Sequence, residues 1–224
     1  DRSLKSEEFS AAVSVFAETE YWPPISEKLS EFQATGTLLP LESKLEKYYW
    51  GKVWSKIRRS TAKYTDVIKE ILGMEIDIKN IKIILRCKTD EIPPDEIKDY
   101  LIPIHHKLSN EIIEEMINSR DTRSLATALE GTPYGEELSE ALTEQGEEES
   151  IQDLASALDN LLLSEVRKKS IQHYVGIGPL LAFLYEKEIE VRNLTTIING
   201  KSEGLEAEEL RSKLITPKKE AVKT

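Results

Sequence analysis

One cysteine, Cys87, leaves the chain without a partner for an internal disulfide and points to a reducing compartment. No apolar run approaches the ~20 residues needed to cross a bilayer as a helix. Basic charge is in deficit: 30 lysines and arginines stand against 41 aspartates and glutamates, a formal net charge of -11. That balance argues against a partner such as duplex nucleic acid, which requires a basic face. Histidine is scarce. His105 and His106 are adjacent, so on a helix they face different ways and cannot clamp one metal as an i, i+4 pair does. They read as a linker or surface pair, and His173 is isolated. There is no Walker loop, no GxGxxG, no CxxC, no HExxH and no nucleophile elbow. Carboxylates abound, but in helix first turns and i, i+4 pairs, with no two set apart for acid–base work. The sequence therefore offers no catalytic, cofactor-binding or metal-binding residues, and an enzyme is not expected.

What the chain does have is a repeat. Glu75 to Ile102 (EIDIKNIKIILRCKTDEIPPDEIKDYLI) recurs without a gap as Glu188 to Ile215 (EIEVRNLTTIINGKSEGLEAEELRSKLI), an offset of 113 from position 75 to position 188. Glu75, Ile76, Asn80, Ile84, Lys88, Glu96, Leu101 and Ile102 are unchanged at Glu188, Ile189, Asn193, Ile197, Lys201, Glu209, Leu214 and Ile215. Lys79 becomes Arg192 and Asp77 becomes Glu190. The same offset carries Leu41, Leu45 and Glu46 onto Leu154, Leu158 and Asp159, and Tyr21 onto Tyr134. One long module is used twice. The repeated units run from about Phe9 to Pro103 and from about Thr122 to Thr216. This predicts a first domain over residues 1–103, a second over 104–216, and a disordered basic tail over 217–224. Residues 107–118 read as the opening helix of unit two, and its counterpart falls across and before Asp1. The chain is therefore expected to be cut from a longer protein.

The fold class expected is all-α: two tandem homologous helical domains, each with long paired helices and a short capping helix. A helix is expected over Ser6–Glu18, where Phe9, Val13 and Phe16 share a face. Another starts at Pro23 and Pro24, residues 34–40 form a connector, and Leu41 opens a helix carrying Trp50 and Trp54, read as core. Residues 74–79 alternate like a strand. The long surrounding apolar pattern from Thr65 to Lys88 still predicts a helix, apolar nearly all round and so flanked on several sides. Short helices should follow Pro93–Pro94 and Gly204. In unit two, Tyr174 to Asn199 should form the long helix.

Within the repeated motif, Glu75 with Lys79 and Glu188 with Arg192 make acid-first i, i+4 pairs. Asn80 and Asn193 sit in mid-helix, where asparagine is a poor helix former. Their recurrence predicts a hydrogen bond that fixes a neighbouring loop. These six residues are assigned a structural role.

The stretch Lys187 to Ile215, and above all Gly178 to Leu194 (GPLLAFLYEKEIEVRNL), resembles the end of the C subunit of archaeal A-type and related V-type rotary ATPases, known as the d subunit in eukaryotic vacuolar enzymes. The resemblance covers essentially the whole chain. It implies a funnel of three similar helical domains, of which two are here. It also implies a non-catalytic rotor part, peripheral to the membrane on its cytoplasmic face. Such a part joins the proteolipid ring to the D and F subunits of the central stalk, coupling ion flow to ATP synthesis or hydrolysis elsewhere in the enzyme. A stand-alone all-α repeat scaffold for protein–protein interaction is the alternative reading.

Overall fold

A computed structural model describes residues 13–145 and 151–216. Among these residues there are ten helices and no strand. In chain order they are α1 (Trp22–Thr35), α2 (Leu39–Arg59), α3 (Thr65–Thr89), α4 (Pro94–Ile97) and α5 (Asn110–Asn118). They continue with α6 (Thr122–Ala128), α7 (Pro133–Gln145), α8 (Ile151–Gln172), α9 (Gly178–Ser202) and α10 (Ala207–Ser212).

Local chemistry sets many of these limits. Prolines sit in the first turns of α1, α2, α4 and α9, where a missing N–H costs nothing. Gly36 closes α1 in the left-handed region, at φ 70°, and its N–H donates to Phe32 O at 2.7 Å. The Ser109 hydroxyl accepts the Ile112 N–H at the start of α5, and Asp121 and Ser124 form a reciprocal cap on α6. The strand-like alternation at 74–79 lies within α3. There Met74, Ile76 and Ile78, which a helix points in different directions, are all buried because neighbours cover it on several sides.

Three boundaries differ from expectation. The helix expected over Ser6–Glu18 falls partly outside the described residues, and from Val15 onward the chain turns rather than continuing helical. The helix α9 begins at Gly178, not Tyr174, because residues 174–177 make a tight reversal in which the Gly176 N–H donates to His173 O. A Cβ on Gly178 would lie 2.7 Å from Ser170 O, so the reversal requires glycine there. The helix after Pro93 is one turn long and gives way to turns at Lys98. The tail, 217–224, and most of the acidic connector before α8 lie outside the described residues.

The main core is built on α3. Its Ile71, Ile78, Ile81, Ile84 and Leu85 are buried against Ile117 of α5, Leu125 of α6, Tyr134 and Leu138 of α7, and Leu158 and Val166 of α8. The helix α8 lies between α3 and α9, packing on both. A smaller cluster joins Val13, Ile25 of α1 and Leu41 of α2. Trp50, buried against Ile76 and Ile102, ties α2 to α3. Trp54 packs at its edge, whereas Tyr49 remains exposed.

Both long helices end in the same turn. The Ile92 N–H donates to Cys87 O at 2.8 Å, and the Leu205 N–H donates to Gly200 O at 2.8 Å. This leaves Glu91 and Gly204 in matching left-handed positions, at φ 54° and 81°. Cys87 is 1% exposed, and burial pushes its thiol up to about 11. At the matching place, a Cβ on Gly200 would come within 2.3 Å of Leu210 Cδ2, so a side chain there would displace Leu210.

Candidate functional site

The six motif residues fall into two pairs of clamps and one groove. Asn80 is fully buried. Its amide donates to Ile102 O at 3.0 Å and Ile104 O at 3.4 Å, and its Oδ1 accepts the Ile102 N–H at 2.8 Å. Asn193 repeats the arrangement, donating to Ile215 O at 2.8 Å and accepting the Ile215 N–H at 2.9 Å. Each asparagine thus uses a side-chain amide to imitate a peptide partner for the segment that closes its unit. That segment would otherwise bury an unpaired N–H.

The charged pairs differ from the i, i+4 reading in one copy. Arg192 does pair with Glu188, at 2.7 Å. Lys79 instead reaches across to Glu46 of α2, at 3.6 Å. Its expected partner, Glu75, accepts the hydroxyl of Tyr185 at 2.5 Å. What recurs is a tertiary pair: Lys79 with Glu46, and Arg192 with Asp159 of α8 at 3.3 Å. Positions 46 and 159 are equivalent by the repeat, so the ion pair joins the same two helices in each copy. Asp159 also takes Lys82 of α3 at 2.6 Å, which links α3, α8 and α9 through one carboxylate. Burial lowers the Lys82 pKa against the pull of Asp159.

A groove of about 1030 Å³ opens between α1, α2, α3 and α9. Phe16, Tyr21, Leu38 and Tyr49 supply an apolar and aromatic wall, Glu75 and Lys79 come from α3, and Leu184, Tyr185 and Glu188 come from α9. The acids Glu42, Glu46, Glu75 and Glu188 share the lining with Lys79. Burial pushes the Glu75 carboxyl above the ordinary range, opposed by its hydrogen bond from Tyr185. Burial likewise raises the Tyr185 hydroxyl.

Asp77 is a structural hub that the repeat pattern does not single out. It is fully buried and accepts three hydrogen bonds: from the His106 N–H at 3.0 Å, the Lys107 N–H at 2.6 Å and the Tyr134 hydroxyl at 2.9 Å. It anchors the linker between the repeats to α3 and α7. Burial raises its pKa, and these three bonds oppose the rise. Its sequence signal is faint, an acid amid apolar residues in a mid-helix stretch. His106, expected in a linker or surface pair, is half-buried. Its Nε2 is buried with no hydrogen-bond partner among the described residues. The ring lies on Gly73, where a Cβ would approach His106 Cγ to 2.5 Å, so the glycine in mid-helix makes room for it. Burial lowers the His106 pKa. His105 stays exposed.

Among known proteins, the family model described as ATP synthase (C/AC39) subunit matches residues 1–213. The chain is 34% identical over 198 residues to the C subunit of the A-type ATP synthase of Methanocaldococcus jannaschii, covering 88% of this chain and 49% of that protein. It is 32% identical over 185 residues to the protein of the same name from Methanothermobacter thermautotrophicus, covering 83% and 48%. To that of Halorubrum lacusprofundi it is 28% identical over 214 residues, covering 96% and 60%. The chain spans about half the length of the first two relatives. No solved structure matches. Among the described residues, no helix is long and apolar enough to cross a membrane.

Proposed function

This chain belongs to the ATP synthase (C/AC39) subunit family, and from that premise we propose that it is a non-catalytic rotor part of an A/V-type ATP synthase. It sits peripherally on the cytoplasmic face of the membrane as a socket between the proteolipid ring and the D and F subunits of the central stalk. It passes torque between ion flow and ATP chemistry carried out elsewhere in the enzyme. The observation that carries this reading is the family match along nearly the whole chain. The clamped helix pairs suit the role. A connector under torque needs each long helix held to its neighbour, and the Asn80–Ile102, Asn193–Ile215, Lys79–Glu46 and Arg192–Asp159 links provide that. The chain is organised as two homologous units, 1–103 and 104–216, the second related to the first by a rotation of roughly 120° if the funnel closes symmetrically.

The test is purification of the complete complex from its native membrane through a tag on this chain. The rotor reading requires the ring and the stalk proteins to co-purify. Recovery of the chain alone, with ring and stalk assembled without it, overturns the reading in favour of a stand-alone helical scaffold. Calorimetry with Mg-ATP is expected to show no specific binding to the isolated chain, and a stoichiometric site would contradict a non-catalytic part.

A further inference from the structure

The segment that joins the two units lies along one stripe of α3. Glu70, Gly73, Asp77 and Asn80 follow one another at helical spacing, so they share a face of that helix. The segment runs back along this face. Asn80 holds Ile102, Asp77 takes the His106 and Lys107 N–H groups, and the His106 ring lies on Gly73. Lys169 of α8 reaches Glu70 at 2.7 Å. At the repeat offset Glu70, Gly73 and Asp77 become Phe183, Glu186 and Glu190, so of this stripe α9 keeps only the asparagine. The rest of the track is particular to the joint. His106 is the residue on it whose ordinary titration range lies near neutrality.

The surroundings suit the neutral imidazole. The carboxylates near the ring, Glu70 and Asp77 of α3, are matched by Lys107 on the segment itself and by Lys169 of α8, which pairs with Glu70. The Tyr134 hydroxyl of α7 is engaged by Asp77. These charges balance before the ring takes up a proton. Its Nε2 is buried with no hydrogen-bond partner among the described residues. In the neutral ring this nitrogen can stay unprotonated. In the imidazolium it must be an N–H, buried without an acceptor and carrying an unbalanced charge. Relief requires the ring to leave Gly73, and the two N–H groups seated on Asp77 belong to the same short stretch and move with it. We propose that this joint is a pH-sensitive latch, closed while His106 is neutral and released when its imidazole is protonated. A histidine whose neutral form is favoured in the fold stabilises that fold above its ordinary value of about 6.5, and the contribution is lost as pH falls below it. The inference rests on contacts among α3, α7, α8 and the joining segment and does not depend on the rotor reading.

The test is amide hydrogen exchange of the intact 224-residue chain from about pH 7.5 to about pH 5.5, corrected for the intrinsic pH dependence of exchange. Residues 102–108 should lose protection several-fold as the pH falls, while α8 keeps its own. His106→Phe keeps a ring on Gly73 and removes the titration, so protection of 102–108 should then stay constant across the range. In the wild type, the His106 imidazole followed by NMR should titrate below the ordinary histidine value. Protection of 102–108 that ignores pH overturns the proposal, as does a His106 that titrates at or above that value. A loss that persists in His106→Phe assigns the release to another group and overturns it as well. So does an equal loss throughout the chain, which would mark general acid unfolding. If His106→Phe does not fold, the wild-type titration and the wild-type exchange profile decide between these outcomes.

Discussion

The helices α3 and α9 are two versions of one pattern with opposite fates. Each has 25 residues, both are apolar on nearly all sides, and they match position by position along the repeat. Ile81 is fully buried and Leu194 is 51% exposed; Leu85 is 1% exposed and Ile198 is 65% exposed. Thirteen residues of α3 are buried, whereas on α9 burial takes only Gly178 and Gly200. The difference lies in the neighbours. The helix α3 is enclosed by α5 to α8, whereas α9 packs on α8 along one side and on the short α10 near its end. An all-round apolar helix therefore announces how many faces are built for burial, and the rest of the assembly determines how many are filled.

Truncating matched positions gives the largest contrast. Ile81→Ala should cost ~2–5 kcal/mol, the range for deleting a large aliphatic from a closed core. Leu194→Ala, at an exposed position, should stay within ~0.5 kcal/mol in the monomer. Urea midpoints at constant slope, measured at dilution, check both, and equal losses would erase the distinction between the helices. The asparagine clamps come next. Asn80→Ala strands the Ile102 N–H in a fully buried place, although Ile102 O keeps the Ile104 N–H, and should cost ~1–3 kcal/mol. Asn193→Ala, half-buried and open to water, should cost less. If Asn193 proves the costlier of the two, α9 is more enclosed in solution than its exposure implies.

The turn after each long helix sharpens the comparison at smaller scale. Glu91 holds a left-handed backbone that Gly204 adopts without steric penalty. Glu91→Gly should therefore stabilise by up to ~1 kcal/mol and Gly204→Ala should destabilise by ~1 kcal/mol, opposite signs at equivalent sites. Thermal midpoints of the two variants report the signs directly.

A pH effect is the smallest. Folding raises the Glu75 carboxyl pKa, chiefly through burial, so the folded state binds that proton more tightly than the unfolded chain does. This group's contribution then opposes folding above its folded pKa, and the opposition fades as pH falls toward the ordinary carboxylate value. Glu75→Gln mimics the protonated form while keeping an acceptor for Tyr185. Its stability gain over wild type should be largest at neutral pH and shrink on acidification. A gain that instead grows as pH falls would mean that the charged carboxylate is the form favoured in the fold.

The all-helical class, the repeat and its register, the long helices and their proline-marked starts follow from local pattern, because helix periodicity and terminal chemistry act within a few residues. The mid-helix asparagines are legible for a related reason. A poor helix former kept at two matched places signals a side chain occupied by the backbone of a neighbouring segment. Other features depend on what the fold brings together. Lys79 has an acid one turn away and takes Glu46 instead, because α2 lies alongside it. Glu75 is thereby left for Tyr185, 110 positions away. Asp77 becomes a hub only because the linker and Tyr134 converge on it. The surroundings of α3 are likewise made of side chains scattered over several elements. Burial is a property of neighbours, and one helix pattern occurs here both enclosed and bare. Residue pattern marks which faces of α3 and α9 are made to be covered. Which of them are covered depends on packing, since closing a face requires a partner within van der Waals reach.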